Sequence, residues 1–290
     1  MGQTIACANQ KGGVGKTTTV VNLATALALS GQRTLVLDLD PQGNATSGFG
    51  IDRSALSATL YDVLLGDRDL TSAIIPTAVP GCDLAPASVA LAGSDVELAT
   101  AQQRERRLAR ALRPVDGYDY ILLDCPPSLG LLTVNALTAA GSVLVPTQCE
   151  YYALEGLTQL IATLNLVRDN LNPALAIKGV VLTMYDARTN LSADVASEVR
   201  THFGPTVFNT VIPRSVRLSE APSFGLPVAL YRPDSRGAAA YATLAAELLE
   251  RDGHRRFGSM AGDDGGSDRF DAAANHPHRS IEADVVGARS

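Results

Sequence analysis

The sequence predicts an α/β protein built on a doubly wound, mostly parallel sheet flanked by helices, and three observations predict it. Short runs rich in β-branched and aliphatic residues alternate along the chain with longer stretches of helical spacing. Several of those runs are apolar throughout, as expected of strands covered by helices on both faces. The first run feeds a glycine-rich loop that opens a helix, the order in which such sheets build a ligand crevice at their C-terminal strand ends.

Each element follows from its local signals. TIACAN at 4–9 reads as the first strand, and the helix 16–30 after the glycine loop closes at Gly31. RTLVLDLD at 33–40 is a strand ending in acids, and CDLAPA at 82–87 another. A helix over 103–113 is stopped by Pro114, and YDYILLDC at 118–125 is the next strand. The helix 129–140 closes at Gly141, the strand 142–148 follows, and a long helix spans 153–170. The strand 176–186, the helix 192–203 closing at Gly204, the strand 206–213 and the helix 236–252 closing at Gly253 complete the pattern. No internal repeat is present. Residues 1–252 therefore read as one domain. From Gly253 the composition turns to Gly, Asp, Ser, Arg and His, and residues 253–290 read as a disordered tail. Its Phe257, Met260 and Phe270 are interrupted by glycines and aspartates, unlike the apolar face of a membrane-surface helix.

Composition narrows the function classes. A chain of 290 residues, 46% hydrophobic, buries a full core, and its net charge of -6 advertises no general nucleic-acid binder. Any contact with DNA has to be a local patch. No leader and no stretch of membrane-spanning length appears, so a cytoplasmic protein is expected. Cys7, Cys82, Cys125 and Cys149 lie far apart without a CxxC pair, which argues against a zinc knuckle or a disulfide framework.

The loop 9-NQKGGVGKTTT-19 carries the chemistry. The general phosphate-loop pattern, G-x-x-x-x-G-K-[ST], asks for glycine where Gln10 stands, and K-G-G-V-G-K-T takes its place. The backbone N–H groups of Gly12, Gly13, Val14 and Gly15, and of the helix opening at Lys16, Thr17 and Thr18, suit an anion. Lys16 then reaches the β and γ phosphates of a nucleotide and Thr17 places its hydroxyl on Mg²⁺. Asp124 ends a buried strand, where its carboxylate can hold the Mg²⁺ hydration shell. Asp38 and Asp40 end another, and Asp40 is placed to orient the attacking water. Such a loop needs only one lysine, which leaves Lys11 unexplained.

KGGVGKTTT, LDLDPQGNATSG, DCPPSLGLLTVNALTAA, QCEYYALEGL, LTMYDARTNL and VIPRSVRLSEAPS together resemble the ParA-type, Soj-like chromosome-partitioning ATPases of the deviant Walker A group, over residues 2–252. The resemblance implies a slow Mg²⁺-dependent ATPase that forms a nucleotide-sandwich homodimer in ATP. It gives Lys11 a role on the phosphates held by the partner subunit, where a cation stabilises charge in the transition state. Gly12 would lie where two subunits approach closely. Pro213 would lie near the base, and Arg188 and Arg217 match positions used for non-specific binding of duplex DNA. A separate ParB-type centromere-binding protein is expected to stimulate hydrolysis, and the chain to be nucleoid-associated with no membrane partner.

The residues themselves support the DNA reading weakly, with six arginines against five acids between 186 and 236. A denser cluster, Arg104, Arg106, Arg107, Arg110 and Arg113, reads first as a solvated helix face and second as an alternative DNA face. Three rivals share the loop. A MinD-like ATPase would exchange DNA for membrane. A nitrogenase-iron-protein-like reductase would join cysteines, here Cys125 and Cys149, around an iron–sulfur cluster at a dimer axis. A metabolic P-loop enzyme would use ATP to activate a small carboxylate.

Overall fold

The computed structural model describes residues 2–253. Eight strands form one sheet: β1 (Gln3–Cys7), β2 (Thr34–Asp38), β3 (Ile75–Pro76), β4 (Cys82–Ala85), β5 (Tyr120–Asp124), β6 (Ser142–Gln148), β7 (Ala176–Tyr185) and β8 (Val207–Pro213). Their order is β3-β4-β2-β5-β1-β6-β7-β8, parallel throughout except where β3 pairs antiparallel with β4 at the edge. The doubly wound α/β class is the observed one. All seven expected strands are present, mostly a residue or two shorter than their apolar runs. β3 pairs through only two residues, too few to leave a periodic signal.

Side chains alternate across this sheet into two cores. Ala6, Leu35, Leu37 and Leu123 face one layer, with the helices Leu131–Ala139, Ala153–Asn170 and Asn190–Phe203. Ile5, Cys7, Val36 and Leu122 face the other, with the helices Lys16–Leu29 and Arg236–Arg251. Burial on both faces is why the central strands carry no polar alternation.

The chain returns to opposite sides of β1, with β5 on one side and β6 on the other. That reversal leaves a crevice at the C-terminal end of β1, where the glycine loop begins. Register fixes what stands at the rim: Cys7 of β1 pairs with Asp124 of β5, and Asp124 pairs with Asp38 of β2. Two carboxylates from non-consecutive strands therefore lie at one level beside the loop.

The expected helix 103–113 is corrected. Only Arg107–Ala111 is α-helical, Arg104–Arg106 is a 3₁₀ turn, and Gln103 before it has φ 53. The three arginines of the expected face, Arg106, Arg110 and Arg113, are exposed, and four of the five donate side-chain hydrogen bonds. Arg107 donates to the carbonyls of Leu64 (3.0 Å) and Leu65 (2.7 Å), Arg106 to that of Leu171 (3.0 Å), Arg104 to that of Ala99 (3.1 Å), and Arg110 to the side-chain Oε1 of Gln103. Arg107 and Arg106 thereby satisfy carbonyls at the ends of the helices Leu60–Leu65 and Ala153–Asn170, a use that linear charge spacing does not reveal. The short helices Asn44–Gly48, Leu60–Leu65, Val216–Glu220 and Val228–Tyr231 likewise fall in stretches read as loops. All of the expected tail 253–290 but Gly253 lies outside the described residues.

Candidate functional site

The loop owes its shape to its glycines. Gly13 has φ +76 and Gly15 φ +89, a left-handed backbone that other residues adopt at a cost. Gly15 caps the helix Lys16–Leu29 with no side-chain hydrogen bond, and the first turn has no acid. The first N–H groups of that helix are therefore free to meet an anion. The loop is pinned from outside. Thr183 Oγ1 of β7 donates to the Val14 carbonyl at 2.8 Å, Asn9 Oδ1 accepts from Lys11 N at 3.0 Å, and Asn9 Nδ2 donates to the Pro146 carbonyl at 2.7 Å. Asn9 and Thr183 lie within the blocks NQKGGVGKTTT and LTMYDARTNL, but neither residue type by itself marks a brace for the loop.

The two lysines stand in different surroundings. Lys16 is buried, 7% exposed, and its Nζ donates to the Lys11 carbonyl at 3.0 Å, inside the curve of the loop. Lys11 is 44% exposed along its side chain, and its ammonium pairs with Glu150, 30% exposed. Glu150 belongs to the block QCEYYALEGL, but nothing in that block marks it as a partner of Lys11.

Three carboxylates gather at the strand ends beside the loop, and Asp124 is the one that feels the charge of Lys16. Asp38 Oδ2 accepts from Thr46 N and Thr46 Oγ1, both at 2.7 Å, and its Oδ1 accepts from Asp40 N at 3.2 Å. Burial still pushes its pKa up to about 6, with Asp40 adding to the rise and the Thr46 hydrogen bonds opposing it. Asp40 is 7% exposed and its Oδ1 accepts from Gln42 N at 2.9 Å. Asp124 is fully buried, and neither of its carboxylate oxygens accepts a hydrogen bond. Burial, then Asp38, raises its pKa well above the usual carboxylate range, while the nearby Thr17 acts the other way without a hydrogen bond of good geometry.

Two orphaned buried oxygens beside a threonine hydroxyl are what a hydrated divalent cation satisfies. The residues thus fit Mg²⁺, with Thr17 and Asp124 as the groups that would hold it. On the other side of the loop a cavity of about 560 Å³ is lined by Gly15, Thr18, Met184, Pro213, Leu218 and Tyr241 among others. Its largely apolar wall suits the flat face of a base.

The structure brings together Gly12 to Thr18, Asp40, Asp124 and Pro213, and leaves Arg188 and Arg217 elsewhere. Arg188 is bonded to Asp186 at 2.9 and 2.7 Å, and Arg217 to Glu220 at 2.7 Å. Each pair holds its carboxyl below its ordinary pKa through the hydrogen bonds of the arginine. The thiols do not fit a shared cluster: Cys125 and Cys149 are 1% and 6% exposed, and burial raises the pKa of both.

The family described as an AAA domain matches residues 2–177. The chain is 57% identical over 249 residues to the sporulation initiation inhibitor protein Soj of Bacillus subtilis, covering 86% of this chain and 98% of that one. It is 52% identical over 256 residues to the chromosome-partitioning ATPase Soj of Treponema pallidum, covering 88% and 100%. A solved structure of cobyrinic acid a,c-diamide synthase from Mycobacterium smegmatis, with bound ATP analog and magnesium, superposes with a TM-score of 0.77 at 40% identity, covering 87% and 96%.

Proposed function

The chain belongs to the ParA/Soj family of chromosome-partitioning ATPases, and from that premise we propose how its residues run the ATPase and what the ATP state controls. ATP closes a sandwich homodimer. The dimer is held on duplex DNA through phosphate contacts, and hydrolysis stimulated by a ParB-type protein releases it. The carrying observation is the contrast between the lysines: Lys16 is buried within its own loop, while Lys11 is half-exposed and tied to a carboxylate it can exchange.

In this reading the loop N–H groups and Lys16 bind the phosphates of the chain's own nucleotide, a reading supported by solved structures of the similar cobyrinic acid a,c-diamide synthase that hold an ATP analog or ADP with magnesium. Thr17 and Asp124 would hold Mg²⁺, which would supply charge neutralisation on those phosphates. Asp40, at the rim and free at one oxygen, orients water toward the γ-phosphate. Pro213 walls the base cavity. Lys11 leaves Glu150 and reaches the phosphates in the second copy, so that charge neutralisation depends on dimerisation. Hydrolysis is slow in the single chain because that cation is directed to its own carboxylate.

The test is co-sedimentation of the full chain with duplex DNA and, in parallel, with anionic vesicles, in ATP, ADP and no nucleotide. Pelleting with DNA in ATP alone, weakened by salt, is expected. Pelleting with vesicles would return the MinD-like reading. Among the described residues no helix is long and apolar enough to cross a membrane. Pelleting with neither would favour the metabolic alternative.

A further inference from the structure

Two further cavities share one wall, and the larger also adjoins the base cavity at Pro213, Arg214 and Val216. The larger, about 790 Å³, has Arg188, Arg214 and Arg236 in its lining beside Asp186. The second, about 620 Å³, has Arg217, Arg232 and Arg236 beside Asp234. Arg236 is common to both, so five arginines from three segments of the chain edge one groove.

The five are not equivalent. Arg188 and Arg217 are bound to Asp186 and Glu220, and Arg232 lies over the Tyr231 ring at 5.5 Å. Among the described residues Arg214 and Arg236 form no ion pair. An anion arriving at Arg188 or Arg217 has to displace a carboxylate. At Arg236 it has no ion pair to break, although Asp234 lines the same cavity.

Arg236 also stands where a cation works against the fold. It opens the 16-residue helix Arg236–Arg251, whose first turn contains no acid. The N-terminus of a helix already carries partial positive charge, and a guanidinium placed there adds to it. Ser235 caps the helix by accepting from Ala238 N, which relieves one of its unpaired N–H groups and not the others. The groove therefore concentrates positive charge at a point where neither packing nor an ion pair calls for it.

We propose that Arg236 is the principal phosphate contact of this chain, and that the groove it divides takes the phosphodiester backbone of duplex DNA, with Arg188 and Arg217 as secondary contacts. The inference rests on the DNA reading given above. It differs from the assignment that resemblance supplies, which names only Arg188 and Arg217.

The experiment is a salt titration of duplex DNA binding, by fluorescence anisotropy, for the ATP-loaded full chain and its Arg236→Ala, Arg236→Lys and Arg217→Ala variants. Light scattering in ATP follows dimer formation in each. Arg236→Ala should weaken binding roughly tenfold, as loss of a charge-assisted phosphate contact does. It should also lower the slope of log affinity against log salt by about one per copy, without preference for DNA sequence. Arg236→Lys should retain most of the affinity, Arg217→Ala should lose less than Arg236→Ala, and every variant should dimerise. If Arg236→Ala binds as the parent does, with an unchanged slope, or fails to dimerise, the assignment is wrong while the DNA reading stands. A parent chain that does not bind DNA in ATP overturns both.

Discussion

At the scale of single residues, Gly12 and the Lys11–Glu150 pair carry the sharpest predictions. A Cβ built at Gly12 meets only Pro127 Cβ at 3.9 Å, an ordinary contact, so nothing within the chain requires glycine there. If the requirement comes from a second copy, Gly12→Val should fold with an unchanged melting temperature and bind Mg·ATP as the parent does. It should remain monomeric by light scattering in ATP, and a dimer would remove Gly12 from the interface. Lys11 and Glu150 are both partly exposed, and such a pair contributes no more than about 1 kcal/mol. Glu150→Gln should therefore release Lys11 cheaply, tightening ATP-dependent dimerisation by up to about fivefold. Weaker dimerisation would mean that Glu150 supports the interface instead of competing with it.

At the scale of elements, the segment after β2 is held against the segment after β8 by two glycines in contact. Gly50 has φ +74, and a Cβ there would meet the Gly225 carbonyl oxygen at 2.7 Å. Gly225 has φ +63, and its Cβ would meet Gly50 Cα at 2.7 Å. Gly31, at φ +87 with nothing within 4 Å, carries the backbone preference without the contact. Gly31→Ala should cost about 1–2 kcal/mol from the left-handed backbone alone. Gly225→Ala should cost about 1–3 kcal/mol more, because backbone has to move. Thermal melts of the two variants separate the terms, and equal losses would show that the clash relaxes freely. The sequence marks such places unevenly. Strands buried on both faces are plain in it because apolar runs of the right length have few other uses. The glycine loop is plain because glycines, a lysine and a threonine recur at fixed offsets. Asn9, Thr46, Thr183 and Glu150 are not, since each acts on a residue that only the strand order brings near. The 103–113 region misled because arginines at helical spacing serve carbonyls of other segments as readily as solvent.

At the scale of the whole molecule, the crevice stores charge that the free chain bears at a cost. Asp38, Asp40 and Asp124 lie close enough to act on one another, and both Asp38 and Asp124 are raised above their unfolded pKa, chiefly by burial. A carboxylate raised on folding binds more protons in the native state than in the unfolded one between the two pKa values, so stability falls as pH rises through that window. For Asp38 the window runs from 3.8 to about 6, and for Asp124 it extends above the ordinary range. The Asp38 shift corresponds to a loss of the order of 3 kcal/mol. Without nucleotide the chain should melt at a higher temperature at pH 5 than at pH 7.5. Mg·ATP favours the ionised carboxylates, so it should flatten or reverse that dependence. Asp124→Asn keeps the shape and removes one charge. It should raise the nucleotide-free melting temperature at pH 7.5 and take away much of the stabilisation that Mg²⁺ adds to that of nucleotide alone. A parent chain that instead gains stability from pH 5 to 7.5 without nucleotide would show that the acids at the strand ends are solvated, and that the crevice needs no cation to hold them together.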